Sequence, residues 1–275
     1  MARRSVPRTI VTAADHRYAR TLCQLLLSIA RHTDDDLPRV VIVDLGLTAG
    51  DREQLARWFP WCGVEPFRFE SLPAHVRRLD ICAWKPVAID DMLRANSGLV
   101  LWLDSATIIR EPLDPVFVRI ERDGLLTLAG QSPIARWCHD ETRRFMGASP
   151  EDSSARCRVA GILGFDSSRP DVRAVVSEWR RLALIPSCID PPGATRANHR
   201  YDQAIFSLLL ARTALGEPDG EVDISSPRPI GWASTRNKVA PWVPLACDPI
   251  ARAYFATYKA VDRALIRARV ARRKA

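Results

Sequence analysis

Lysine is nearly missing from this chain. Of the 40 residues that are Lys or Arg, four are lysine: Lys85, Lys238, Lys259 and Lys274. A genome that favours arginine accounts for the general bias, yet Lys85 and Lys238 stand outside the basic C-terminal stretch as two places where arginine was not used. Glycine-rich phosphate loops are missing too. No GxxxxGK[ST] occurs, which excludes a P-loop, and Gly46 and Gly50 are wrongly spaced for the GxGxxG of a dinucleotide fold. No GxSxG elbow occurs, which removes the usual α/β-hydrolase. Long apolar runs are absent: the richest, Leu22 to Ala30, contains Gln24 and Ser28 and falls well short of the ~20 residues that span a bilayer. The opening MARRSVPRTIVTAAD is basic, but its apolar run ends at Asp15, so it reads as a first strand and not as a signal peptide. The seven cysteines are odd in number and scattered, with no CxxC and no zinc spacing. They predict buried free thiols in a reducing cytoplasm.

What is present describes a soluble α/β chain. With 275 residues, 47% of them hydrophobic and 26% charged, a sizeable core is available. The net charge is +8, but it is concentrated. Arg252, Lys259, Arg263, Arg267, Arg269, Arg272, Arg273 and Lys274 are opposed by Asp262 alone, and the rest of the chain is close to neutral. This argues against a broad nucleic-acid groove and for one basic helix. Ile250, Tyr254, Tyr258, Val261, Leu265 and Ala268 mark its apolar stripe. The expected organisation is a domain over residues 1–245 followed by a basic amphipathic helix over 246–275. That helix can dock on its own domain, bind a partner or lie on an anionic bilayer; partial docking with contact at the inner face of the membrane is the expectation.

Strands are expected at residues 8–13, 39–45, 64–69, 99–103, 125–129 and 158–166. Helices are expected at 16–31 with Asp15 as cap, 51–59 announced by Thr48, 81–93 with Pro86 in its first turn, 172–184 and 199–211. Strands alternate with helices, which predicts an α/β fold with a mostly parallel sheet flanked by helices. Ligands in such sheets sit beyond the carboxyl ends of strands. Three candidate edges follow: Thr12 to Asp15, Asp104 to Ala106, and Asp166.

On these residues the chain resembles a known family. TIVTAADHRYARTLCQLLLSI followed by RVVIVDLGLT is similar to the opening of GT-A (Rossmann-like) nucleotide-sugar glycosyltransferases, with family 8 the nearest group. CAWKP, LWLDSATIIREPLDPVF, RVAGILGFDSSRPD and HRYDQAIFSLLL resemble later segments of that family, in the same order, over roughly residues 8 to 212. The combination also resembles a less characterised branch of the superfamily. The resemblance implies a transferase moving a sugar from a nucleoside-diphosphate sugar, a UDP-sugar first, to a glycan, lipid or small-molecule acceptor, with no nucleic acid involved. Family 8 chemistry implies retention at the anomeric carbon.

The leaving group of such a reaction is anionic, and a cation must neutralise it. Asp104 stands where the family has the first aspartate of Asp-x-Asp and would hold Mn²⁺ or Mg²⁺, or a ribose hydroxyl. The second aspartate is replaced by Ala106, and Ser105 is a weak oxygen ligand, so the motif is degenerate and a hard cation finds few donors. Lys85, and Arg236 with Lys238 in STRNKVAPW, are the cations that could serve instead. Thr12, Ala13 and Asp15 would meet the nucleoside, Gly161 the sugar, Asp202 and Gln203 the reacting carbon, and His199 the acceptor or phosphate. Each residue also has a plainer role: Asp15 and Asp202 as helix-start acids, Asp104 as a strand-end turn residue, Lys85 as a solvated side chain beside packed Trp84, Gly161 as a close backbone approach, His199 as a structural imidazole, Trp84 and Trp102 as core. A non-catalytic nucleotide- or glycan-binding scaffold of the same fold is the alternative, favoured by the missing aspartate. A nucleotidyltransferase is a third option, lowered by the glycine-free turn VTAADHRYA.

Overall fold

Runs of β-branched residues become the inner strands, as their pattern requires. In the computed structural model, which describes residues 6–32, 37–216 and 233–234, the strands are β1 (Arg8–Ala14), β2 (Arg39–Asp44), β3 (Cys62–Pro66), β4 (Leu99–Leu103), β5 (Ile108–Ile109), β6 (Leu125–Pro133), β7 (Arg156–Asp166) and β8 (Ala233–Ser234). The helices are α1 (Ala19–His32), α2 (Ala49–Trp58), α3 (Trp84–Ala95), α4 (Asp114–Asp123), α5 (Ile134–Trp137), α6 (Asp140–Phe145), α7 (Pro150–Ser154), α8 (Pro170–Ala183), α9 (Pro186–Ile189) and α10 (Asp202–Ala211). Six strands form one mostly parallel sheet in the order β3-β2-β1-β4-β7-β6, and β5 pairs with β8. The expected helix over 246–275, and the boundary at residue 245, lie outside the described residues.

Two structural units share the chain. Among the described residues, unit one comprises those up to Val11, Pro66–Leu103 and 114–216; unit two comprises Thr12–Glu65, Asp104–Leu113 and 233–234.

In unit one, β1 runs parallel to β4, with Arg8 opposite Leu99 and Val11 opposite Trp102. β7 is antiparallel to β4, with Leu99 opposite Asp166 and Leu103 opposite Ile162. It is antiparallel to β6 on its other side, so β6 again points the way β4 does. This direction corrects one expected edge. Asp166 ends its strand beside the first residue of β4, at the opposite edge from Leu103. Its carboxylate closes a local turn there, accepting from the Ser168 amide at 2.9 Å and the Ser168 hydroxyl at 2.6 Å. The same reversal brings Ala160 and Gly161 to the carboxyl end of β4. β7 is also irregular against β6: Leu126 faces Gly164 and Leu128 faces Val159. Residues 160–163 therefore stand against Thr127 alone, a bulge that re-aims backbone groups.

α10 is apolar nearly all round, the mark of a helix buried on every side. Ala204, Ile205, Phe206, Ser207, Leu208 and Leu210 are buried in it. Phe206 packs on Trp179 of α8 with ring centroids 4.3 Å apart, and the Trp179 indole Nε1–H donates to the Asp202 carbonyl at 2.9 Å. α10 begins later than expected, at Asp202 and not at residue 199. Tyr201 has φ +47°, outside helical space, so residues 199 and 200 belong to the preceding loop. α3 packs on α8. There the buried Asp90 accepts from Arg94 at 2.9 Å, Ser177 at 2.9 Å and Arg180 at 3.0 Å.

In unit two, Leu22, Leu25, Leu26 and Ile29 line the buried face of α1. Asp15 caps a short 3₁₀ turn, His16–Tyr18, that precedes it. Thr48 and Asp51 form a capping box at the start of α2, which satisfies two orphan amides reciprocally. No helix among the described residues is long and apolar enough to cross a membrane.

Candidate active site

Four segments far apart in the sequence converge in unit one on the ammonium of Lys85. α3 starts with Trp84, so Lys85 lies in its first turn, with Pro86 following where the missing amide costs no helix bond. Lys85 Nζ donates to the Ala160 carbonyl at 3.3 Å, lies 3.8 Å from Asp202 Oδ2, and stands 5.7 Å from the centre of the Trp102 ring. Lys85 and Asp202 are each 5% exposed and Trp102 1%. The Trp84 and Trp102 rings are 6.0 Å apart. Lys85, Trp102, Ala160 and Asp202 thus meet around one buried charge pair. A pair so enclosed interacts far more strongly than the same pair in water. The acid also sits at the positive end of α10.

Gln203 follows Asp202 in the first turn of α10; its carbonyl accepts from the Ser207 hydroxyl at 2.7 Å. Gly161 is next to the Ala160 carbonyl at the carboxyl end of β4. His199 departs from expectation. It is fully buried. Nδ1 accepts the His139 amide at 3.1 Å, so it carries no proton, and Nε2–H donates to the Ile189 carbonyl at 3.0 Å. Both ring nitrogens are engaged by backbone, so a contact with phosphate or acceptor has no ring atom to use. His199 is a strut between loops. Burial first, then the neighbouring His139, lowers its pKa to about 4 against the pull of the Ile189 carbonyl and Asp190.

Unit two holds the other expected residues. Thr12 is fully buried and its Oγ1 has no hydrogen-bond partner among the described residues. Ala13 is buried beside it in sequence. Asp15 accepts the Tyr18 amide at 3.2 Å, as a helix-start cap does. Asp104 opens a turn closed by the Thr107 amide on its carbonyl at 2.9 Å, with Ser105 buried within it. Arg236 and Lys238 lie outside the described residues.

Two further acids of unit two, Asp44 at the end of β2 and Asp51 in the first turn of α2, are tied into the loop between those elements. Asp44 closes β2: Oδ1 accepts the Gly46 and Leu47 amides at 2.8 and 2.7 Å, and Oδ2 accepts Arg52 Nε at 2.6 Å. Burial opposes its charge, but the Leu47 amide, Arg52 and the Gly46 amide outweigh it and hold its pKa below the ordinary value. Asp51 is held low in the same way, against burial, by Thr48 and His16; the His16 ring nitrogen is 2.8 Å from Asp51 Oδ2. The spacing Asp44-Leu-Gly46, a tight turn with φ +134° at the glycine, was the readable signal. Both carboxylates serve the loop.

A divalent cation wants several oxygen ligands. Among the described residues no three His, Cys, Asp or Glu side chains gather to hold a metal ion. Asp104 has Ser105 and Ala106 next to it, not a second acid, so the residues described do not fit the metal site that the resemblance implies. The described cysteines are free thiols. Burial raises Cys23, Cys138 and Cys188 to about 12, which keeps them unreactive near neutrality.

No protein-family model matches this chain, and no curated protein matches it. Among solved structures its chain path is similar to that of glycosyltransferases. The apo form of GlyE from Streptococcus pneumoniae TIGR4 matches at 16% identity over 75% of this chain and 44% of that one, with a TM-score of 0.44. The galactosyltransferase LgtC, solved with donor and acceptor sugar analogs, matches at 20% identity over 73% and 70%, with a TM-score of 0.45. Mouse xyloside xylosyltransferase 1 matches at 12% identity over 78% and 84%, with a TM-score of 0.47. The chain spans less than half the length of GlyE. These are likenesses of chain path, and the chemistry has to be read from this chain's own side chains.

Proposed function

We propose that this protein is a glycosyltransferase that moves a sugar from a nucleoside-diphosphate sugar, a UDP-sugar first, to a glycan, lipid or small-molecule acceptor. The observation that supports this most is the meeting of Lys85, the Ala160 carbonyl, Asp202 and the Trp102 ring at the carboxyl end of β4. In the reaction the bond from the anomeric carbon to the diphosphate oxygen breaks. A bond to an acceptor oxygen forms, and the acceptor's proton is released. Charge grows on the departing diphosphate, and a fixed cation in a low-dielectric site stabilises it. Lys85 is the cation for that task, while Asp202 and Gln203 orient the donor sugar's hydroxyls. Asp104 and Ser105 take a ribose hydroxyl, Thr12, Ala13 and Asp15 the nucleoside, and Gly161 the sugar's close backbone neighbour. Arg236 and Lys238 are assigned to the diphosphate. Retention of anomeric configuration is carried over from the family 8 resemblance.

The test is calorimetry with UDP and GDP, with and without Mn²⁺, followed by a donor panel assayed for slow hydrolysis. UDP binding with turnover that Asp202→Asn abolishes supports the proposal; turnover untouched by Asp202→Asn refutes the site. The place of Ala106 favours a second reading, a nucleotide- or glycan-binding scaffold, and binding without turnover of any donor would decide for it. For the basic C-terminal stretch, flotation with anionic liposomes compares the full chain with one ending near Pro249. Equal behaviour ends the membrane reading.

A further inference from the structure

We propose that Arg78 is a positioning residue: it clasps the loop leading to Lys85 onto the loop leading to Asp202. The proposal rests on the functional reading above, but its test does not. Arg78 Nη1 pairs with Asp190 Oδ2, and Nη2 pairs with Asp80 Oδ2 at 3.3 Å. From the other loop, Arg196 Nη2 donates back to the Asp80 carbonyl at 2.9 Å. Two bonds in opposite directions therefore tie residues 78–80 to residues 190–196. Each loop then passes through a left-handed backbone position at a residue that is not glycine, Cys82 at φ +55° and Tyr201 at φ +47°. Such positions cost of order 1–3 kcal/mol and persist where surrounding contacts over-determine them. The one lies three residues before Lys85, the other directly before Asp202.

The second loop is braced at both ends. Asp190 follows Ile189, whose carbonyl receives the His199 Nε2–H, and the His199 ring stands 5.1 Å from the Tyr201 ring. Tyr201 lies within the field of the clasp. Its phenol is raised first by burial, then by Asp190 and Asp80, with Arg78 and Arg196 pulling it down. A half-exposed arginine between two acids would ordinarily contribute little. Here its contacts join the two segments that present the buried pair, one guanidinium nitrogen to each carboxylate.

The experiment reads the Lys85–Asp202 pair through its own coupling. Urea midpoints of Lys85→Met, Asp202→Asn and the double variant are compared in wild-type, Arg78→Met and Asp190→Asn backgrounds. The expected result is non-additivity in the wild type, its loss in both backgrounds, and its retention in Arg78→Lys. Additivity in the wild type, or coupling that survives Arg78→Met, overturns the proposal. In the donor assay Arg78→Met should lower kcat roughly a hundredfold with the donor KM little changed, the cost of a small misplacement; an unchanged kcat also overturns it. If no donor is turned over by the wild type, the functional reading fails while the coupling measurement still decides this one.

Discussion

Lowering the pH should weaken this protein through one imidazole. His199 is buried and neutral, with Nδ1 accepting from His139 and Nε2–H donating to Ile189. The groups around it are the His139 ring at 6.4 Å, the Tyr201 ring at 5.1 Å and the Asp190 carboxylate. A proton added at Nδ1 would set N–H against the His139 N–H. In the native state the ring takes its proton only at about 4, whereas a free imidazole takes one at 6.5. Between those values the unfolded chain binds a proton that the native chain does not. Stability from this site is complete above about pH 6.5 and is lost as pH falls toward 4. The gap is worth about 3 kcal/mol. Urea denaturation from about pH 7 to about pH 4, on wild type and His199→Asn, measures it. Other carboxylates titrate in both proteins, so the difference between the two profiles isolates the site. Wild type should lose about 3 kcal/mol more than the variant over that range. Parallel profiles would refute the assignment of a neutral, doubly bonded ring.

Three further outcomes are expected. Lys85→Met removes the buried ammonium that faces Asp202 and should cost about 3–5 kcal/mol, with Lys85→Met/Asp202→Asn recovering most of it in thermal melts. Trp179→Phe keeps the ring on Phe206 but loses the hydrogen bond to the Asp202 carbonyl, and should cost roughly 1–2 kcal/mol by urea midpoint; no change would show that the bond contributes nothing. Asp104→Ala should weaken UDP binding by calorimetry, and unaltered affinity would remove Asp104 from the site.

The inner strands were legible because RVVIVD and LVLWL are apolar on both faces, and caps such as Thr48 with Asp51 are local chemistry. Direction was not legible. The pattern of RVAGILGFD is the same read up or down the sheet, so the antiparallel course of β7 had to come from the structure. It moved Asp166 to the wrong edge and brought Ala160 to the right one. The start of α10 was misjudged because HRYDQ is compatible with helix, and only tertiary bracing holds Tyr201 at positive φ. The Lys85–Asp202 pairing spans more than a hundred residues, and no periodicity reports a contact of that range. The partners of His199 are backbone atoms, which likewise leave no trace in side-chain spacing.

The scarcity of lysine has a practical consequence. An amine in a wall of buried side chains is shielded from acylating reagents, so covalent labelling of Lys85 must wait for that part of unit one to open. With so few other amines in the chain, a single peptide mass would follow the modification. Its rate, measured against a free-lysine standard, would report the free energy of local opening at the proposed site, and a bound nucleotide sugar should slow it.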